Sequence, residues 1–169
     1  KIEKCILQND YITILLDGMP GSGKTEVYFD LIAKNILNKR QSLILFPEVS
    51  LTNEFIKRVE QRFSNPPDIW HSKITLAKKR KIIQRVINGD SQILIGARSA
   101  LFLPFKNLGL LIVDEEHDAS YKQEEKGIYN ARDMAVVRGS IEKFPIILVS
   151  ATPSLETIYN IDQQKYLHV

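Results

Sequence analysis

Cysteine, tryptophan and methionine are nearly missing from this chain of 169 residues, which has one, one and two of them respectively. A single thiol, Cys5, closes no internal disulfide and builds no metal cluster, so a fold stapled by either is excluded and Cys5 reads as a small buried hydrophobe. Long hydrophobic runs are missing as well. The longest, around Leu110 to Val113, falls far short of the roughly 18 residues that span a bilayer, and the lysine-containing start lacks the apolar core of a signal peptide. These absences point to a cytoplasmic chain with no membrane partner. No low-complexity tract or internal repeat breaks the sequence, and 44% hydrophobic with 25% charged residues is an ordinary globular balance. The length suits a single domain over residues 1–169 and leaves no room for a second. Excess charge is small too: a net +3 attracts polyanions weakly and assigns no partner. The densest basic cluster, Lys78-Lys79-Arg80-Lys81, reads as a solvated helix face.

What the chain does have is alternation. Short runs rich in isoleucine, leucine and valine recur at Tyr11 to Leu16, Ser42 to Phe46, Ile69 to His71, Gln92 to Ile95, Leu108 to Val113 and Pro145 to Val149, and most predict strands buried on both faces. Helical patterns lie between them at Lys24 to Leu37, Leu51 to Phe63, Thr75 to Asn88 and Ala131 to Lys143, with Gly89 where a C-terminal cap belongs. Strand alternating with helix at this spacing predicts an α/β fold, a mostly parallel, doubly wound sheet with helices on both faces. Ligands of such sheets bind at the carboxyl ends of the strands. Two stretches break the rhythm. Ser64-Asn65-Pro66-Pro67 is a helix-ending turn, while residues 116–129 are polar, carry Tyr121 and Tyr129, and show neither period. A loop of that length is usually functional, and this one is expected to be mobile.

The stretch GMPGSGKTE, Gly18 to Glu26, matches G-x-x-x-x-G-K-[ST] as Gly18, Gly23, Lys24 and Thr25, between a predicted strand and a predicted helix. Glycines at 18, 21 and 23 let the backbone curl so that its N–H groups point inward at phosphate oxygens, and the helix that follows adds its positive N-terminal end. Ser22 and Glu26 complete the segment assigned to the nucleotide. Lys24 is expected on the β and γ phosphates and Thr25 on Mg²⁺ through its hydroxyl. The second half of such a site is an acid at the end of another apolar strand. LGLLIV runs directly into Asp114-Glu115-Glu116-His117, so Asp114 is the expected second Mg²⁺ ligand. Glu115, one residue on, suits a carboxylate that orients the attacking water.

Many phosphate-loop proteins share those features, and the remaining motifs narrow the choice. DEEH followed by SATPS at Ser150 to Ser154 resembles the ordered pair of superfamily 2 helicases and translocases. LLDGMPGSGKTEVY, LFPEVSLT (45–52), WHS (70–72), GARSALFLPFKNLGLLIVDEEHDASYKQ (96–123), YNARD (129–133) and SATPSLET (150–157) together resemble the first motor domain of the bacterial primosomal replication helicases. The likeness runs nearly the whole chain in register, and ARSALFLPF joined to DEEHD-x-SYKQ is far more specific than the phosphate loop. It implies a RecA-like domain that uses ATP and Mg²⁺, within a DNA-dependent ATPase moving 3′ to 5′ on single strands. It further implies recognition of stalled forks, with single-stranded and forked DNA, other primosome proteins and single-strand binding protein as partners of the full-length protein.

By the same resemblance Lys24, Asp114, Glu115 and His117 are the catalytic set, with His117 connecting the nucleotide site to DNA. Ser150 and Thr152 couple hydrolysis to domain movement, and Pro47, Thr52 and Arg98 lie in segments that track a DNA backbone. Tyr121, Lys122 and Tyr129 belong to an aromatic-rich loop that senses single strands, where a base can stack on a ring while a lysine meets phosphate. The resemblance places a second motor domain with arginine fingers, a zinc module and an N-terminal DNA-binding region outside these residues, so the chain reads as a piece of a longer protein and no zinc is expected in it. Two other readings share most of the motifs: a different superfamily 2 translocase, for restriction or repair, and a nucleotide-binding module without turnover.

Overall fold

The structure is a computed structural model, which describes residues 10–47, 52–124 and 127–169. Cys5 and the expected helix start at Leu51 lie outside the described residues. Seven strands form one sheet in the order β3-β4-β2-β5-β8-β1-β9: β1 (Thr13–Asp17), β2 (Gln41–Leu45), β3 (Asp68–Trp70), β4 (Ile93–Gly96), β5 (Leu108–Val113), β8 (Ile146–Ser150) and β9 (Leu167–His168). Every pairing in this sheet is parallel. A separate antiparallel ribbon joins β6 (Lys122–Gln123) to β7 (Tyr129–Asn130). The helices are α1 (Lys24–Leu37), α2 (Asn53–Phe63), α3 (Leu76–Asn88), α4 (Ala131–Glu142) and α5 (Leu155–Asp162), with 3₁₀ turns at Arg98–Phe102 and Ala119–Tyr121.

Burial on both faces explains why the strands read as unbroken apolar runs. Side chains alternate across a strand, and Leu43, Leu45, Leu94, Leu111 and Val113 enter one core while Ile44, Ile93, Ile95, Leu110 and Ile112 enter the other. The first core is closed by Ile82 and Val86 of α3 and Ala131 and Ala135 of α4; the second by Tyr28, Phe29 and Ile32 of α1 and Val59 of α2. Helices therefore cover both faces, as the alternation predicts.

Local signals set most of the boundaries. Thr52 stands in extended backbone and accepts the Phe55 N–H, so α2 begins at Asn53. Thr75 does the same for Lys78, and Gly89, at φ 87°, ends α3 in the left-handed conformation that favours glycine. Lys78, Arg80 and Lys81 are exposed on that helix, the solvated face expected of them. Gln41 shows how a polar residue enters the core: buried, it donates through Nε2 to Val86 O and Ser91 O and accepts the Asn107 N–H. Among the described residues no helix is long and apolar enough to cross a membrane.

Because all seven strands run the same way, the segments after β1, β2, β4, β5 and β8 emerge at one edge of the sheet. The local order β5-β8-β1 puts residues 18, 114 and 150 at the ends of three adjacent strands, although they are far apart in sequence. A crevice at the carboxyl edge of a doubly wound sheet is where such folds take ligands.

Candidate active site

Residues 18–23 turn out of β1 and into α1. Gly21 at φ 81° and Gly23 at φ 89° hold left-handed backbone that a Cβ would strain, and Gly23 is itself the helix cap. The first helical bonds run from the amides of Glu26 and Val27 to Gly23 O, so the amides of Lys24 and Thr25 precede the ladder and face outward along the helix axis. That is the geometry of an anion cradle. The Lys24 ammonium folds back over the loop and donates to Gly18 O and to Met19 O, the latter at 3.1 Å. Ser22 closes a turn through its N–H to Met19 O. The Glu26 side chain is turned away to Arg58 of α2, at 2.5 Å, and is not gathered into the cradle.

Asp114 leaves the end of β5 beside this loop. Its Oδ1 accepts the Glu115 N–H at 2.9 Å, and its Oδ2 accepts the hydroxyl of Tyr28, a fully buried residue of α1, at 3.0 Å. Thr25 is near the same Tyr28 hydroxyl, so Tyr28, bonded to Asp114, stands between the two halves of the site. Burial raises the Asp114 carboxyl to about 6, against the Tyr28 hydrogen bond and Lys24, which favour its ionised form. Burial and the nearby Asp114 push Tyr28 far above the ordinary phenol range, so it keeps the proton that it donates to Asp114. Sequence reading missed Tyr28. Its signal was position: a hydroxyl three residues after Thr25 shares a helix face with it.

Glu115 is held at φ 48°, unusual for a residue with a side chain, while its carboxylate is 43% exposed and 3.6 Å from Nδ1 of His117. The same Nδ1 lies 2.8 Å from Ser150 Oγ, which also accepts the Thr152 N–H at 3.0 Å. His117, Ser150 and Thr152 are thus brought together, and the histidine touches both Glu115 and the turn after β8. The third acid, Glu116, is fully buried and was given no role in the sequence. It binds Ser154, Thr157 and Arg132, none of them anticipated; a carboxylate flanked by two site residues was the available signal.

The remaining residues sit at the same edge in varied states. Pro47 is buried and, with Phe46, Ile69, His71 and Lys73, lines a cavity of about 250 Å³ beyond β2, β3 and β4. Thr52 is exposed at the α2 cap. Arg98 directs Nη1 to Ser120 O and Lys122 O, at 3.1 and 2.8 Å, pinning the segment after the acids to the 3₁₀ turn at 98–102. Lys122 is exposed and paired with Glu124, and Tyr129 is half-buried against Phe102, ring centroids 5.4 Å apart. Tyr121 is the correction. A ring that stacks on a base must be open to solvent, but Tyr121 is only 1% exposed, and its hydroxyl lies 2.9 Å from Leu45 O and 2.6 Å from Asp114 O. It locks the end of β2 to the end of β5. Residues 116–129 are also not a structureless connection, since they contain a 3₁₀ turn, β6 and the start of β7, with residues 125–126 outside the described part.

A parallel sheet with a phosphate cradle on one strand, two acids on the next but one, and a Ser-Ala-Thr turn between them defines a P-loop NTPase of the helicase type. The family model for DEAD/DEAH box helicases matches residues 2–161, and the chain belongs to that family. Among curated proteins it is similar to Replication restart protein PriA of Rickettsia felis, 50% identical over 161 residues, covering 95% of this chain and 25% of the relative. It is likewise similar to Replication restart protein PriA of Haemophilus influenzae, 44% identical over 155 residues, covering 92% of this chain and 21% of that protein. The chain therefore spans about a quarter of the length of these relatives. Among solved structures, RecG bound to a three-way DNA junction superimposes with a TM-score of 0.72 at 24% identity, over 99% of this chain and 22% of that one, a likeness of fold.

Proposed function

We propose that this chain is the ATP-binding motor domain of a DNA-dependent ATPase and 3′-to-5′ DNA helicase that acts in replication restart and primosome assembly. The observation that carries the reading is the placing of Asp114, held by Tyr28 of the helix that begins with Lys24 and Thr25, beside the glycine-shaped cradle. It brings a hydroxyl and a carboxylate, the hard oxygen donors that Mg²⁺ takes together with phosphate oxygens, to one side of an anion site. The names of the relatives supply the biological setting.

In this reading Gly18, Gly21, Ser22, Gly23 and Lys24 hold the phosphates, and Thr25 and Asp114 hold Mg²⁺, which would neutralise charge on the β and γ phosphates. Glu115 orients water in line with the γ phosphate, and His117 passes the state of that site to Ser150 and Thr152. Pro47, Thr52, Arg98, Lys122 and Tyr129 face single-stranded or forked DNA, and primosome proteins and single-strand binding protein are partners of the longer protein. Lys24 is already aimed at the loop, so phosphate oxygens would replace the Gly18 and Met19 carbonyls as its acceptors.

Calorimetry tests the nucleotide half. The chain should bind Mg·ADP or Mg·ATP, and Lys24→Ala should weaken that binding at least about tenfold, the loss of one charge-assisted contact. No Mg-dependent binding at millimolar nucleotide by folded protein would end the reading. Phosphate release tests the motor half. Arginine fingers supply roughly 10³ to 10⁵ in rate, so residues 1–169 alone should turn over very slowly and a chain of the relatives' full length should not. Glu115→Gln should abolish that turnover while nucleotide still binds. Brisk DNA-stimulated hydrolysis by the 169 residues alone would contradict the assignment.

A further inference from the structure

The carboxylate of Glu116 has a full set of partners and none of them is solvent. Its Oε1 accepts the Ser154 N–H at 2.7 Å. Its Oε2 accepts the Ser154 hydroxyl at 3.0 Å, the Thr157 hydroxyl at 2.9 Å and Nη1 of Arg132 at 3.2 Å. The backbone is engaged too, because the Glu116 N–H donates to Val149 O at 3.0 Å. One residue therefore holds both ends of the turn 150–154, its entry through the main chain and its exit through the side chain. The neighbouring His117 holds the first residue of the turn, Ser150. Arg132, whose side chain is 7% exposed, is the other half of this brace. It stands two residues after Asn130, which caps α4 and ends the β6–β7 ribbon, and Nη1 of Arg132 also donates to the Ser154 hydroxyl at 2.6 Å.

A buried ion pair of this kind is weak evidence for stability, because desolvation offsets most of the attraction. It does fix geometry, since every polar atom in it loses a bond if one partner moves. Here it ties three segments that the sequence holds apart: the acids after β5, the turn after β8, and the ribbon that leads into α4.

We propose that Glu116 and Arg132 are positioning residues that clamp the turn 150–154 to the catalytic acids and link that turn to the β6–β7 ribbon, so that a displacement of the ribbon shifts Ser150 and Thr152 against Glu115. The clamp itself needs only the geometry above; the link to DNA rests on the motor reading. Neither residue touches nucleotide in this assignment. Glu116 holds the turn and Arg132 connects it outward.

Two measurements test the two parts. Hydrogen exchange on residues 1–169 reads the clamp. Glu116→Gln keeps the shape but replaces one accepting oxygen by an amide donor, and the Ser154 and Thr157 amides should exchange at least about tenfold faster, the equivalent of one charge-assisted bond. Amides at the start of α1 should not change. Arg132→Met, which leaves Glu116 its bonds to Ser154 and Thr157, is the second variant should Glu116→Gln fail to fold, and it should accelerate the Ser154 amide less. Unchanged exchange across 150–157 in a folded variant overturns the clamp. Steady-state ATPase in a chain of the relatives' full length reads the link: Arg132→Met should lower the ratio of DNA-stimulated to basal kcat at least fivefold, about the loss of one weak contact, with KM for ATP within about twofold. An unchanged ratio overturns the link even if the clamp stands. A wild-type protein with no DNA-stimulated turnover sinks the motor reading and the link together and leaves the exchange result to judge the clamp.

Discussion

Replacing Tyr121 by alanine is expected to lower folding stability by about 3–5 kcal/mol, the range for removing a large buried ring. The ring is closed into the core that holds Leu45, Leu111 and Val113, and its hydroxyl reaches two main-chain carbonyls at the ends of β2 and β5. The truncation leaves a cavity in that core and takes a donor from the Asp114 carbonyl, next to Glu115. Tyr121→Phe keeps the volume and should cost only about 1–2 kcal/mol, the penalty for a buried acceptor that has lost its partner. Urea unfolding followed by tryptophan fluorescence and circular dichroism measures both, and the two variants should separate clearly in midpoint at similar slope. If Tyr121→Ala were as stable as the parent, within about 0.5 kcal/mol, the residue would be a surface one after all.

Asp114→Asn should make the protein more stable and useless as a magnesium site. The carboxyl is raised from 3.8 to about 6 in the folded chain, chiefly by burial. Between those values the folded state binds more protons than the unfolded one, so stability falls as pH rises from about 4 to 6 and stays lowered above it. After allowance for partial exposure, the ionised carboxylate costs folding about 2 kcal/mol at pH 7 to 8. Asparagine removes that cost. Its oxygen can still accept the Glu115 N–H, and the Tyr28 hydroxyl can rotate to accept from the amide nitrogen. Thermal unfolding of nucleotide-free protein should therefore show a higher midpoint for the variant at pH 8, a difference that vanishes below about pH 4. Mg-dependent nucleotide binding should drop sharply at the same time. A variant that is less stable at pH 8, or a gap that does not change with pH, would refute the account.

The parallel sheet, its two helical layers and the two nucleotide motifs were legible because each follows from one-dimensional pattern: apolar runs for strands buried on both faces, a three-to-four-residue period for helices, glycine spacing for the cradle. The short elements were not. β9 has only two residues and α5 only eight, and α5 starts inside SATPSLET, read as a motif rather than as a helix start, although Ser154 caps it by accepting the Thr157 N–H. Residues 116–129 misled for a physical reason. Polarity usually signals exposure, but Glu116 and Tyr121 are buried by bonding with segments that arrive from β2, β8 and α4, and no local window contains those partners. Lys24, Thr25 and Asp114 could be named from spacing and His117 only from the family resemblance; Tyr28 and Arg132 required the fold to bring them in.

The strand order has a bearing on how the chain is made. Among the described residues β1, which ends at the phosphate cradle, pairs only with β8 and β9, beginning with Thr13 opposite Ile146 and Ile14 opposite Leu167. As synthesis proceeds from the N-terminus, the strand TILLD is finished early and has no native neighbour until more than a hundred further residues have been added. β2, β4 and β5 meet one another sooner. The ribosome thus releases a partial sheet first and a nucleotide pocket last, with an unpaired apolar edge exposed in between, the kind of nascent intermediate on which chaperones act. Chains shortened before β8 should lose the pocket entirely rather than by degrees, because the missing strand lies between the two halves of the site.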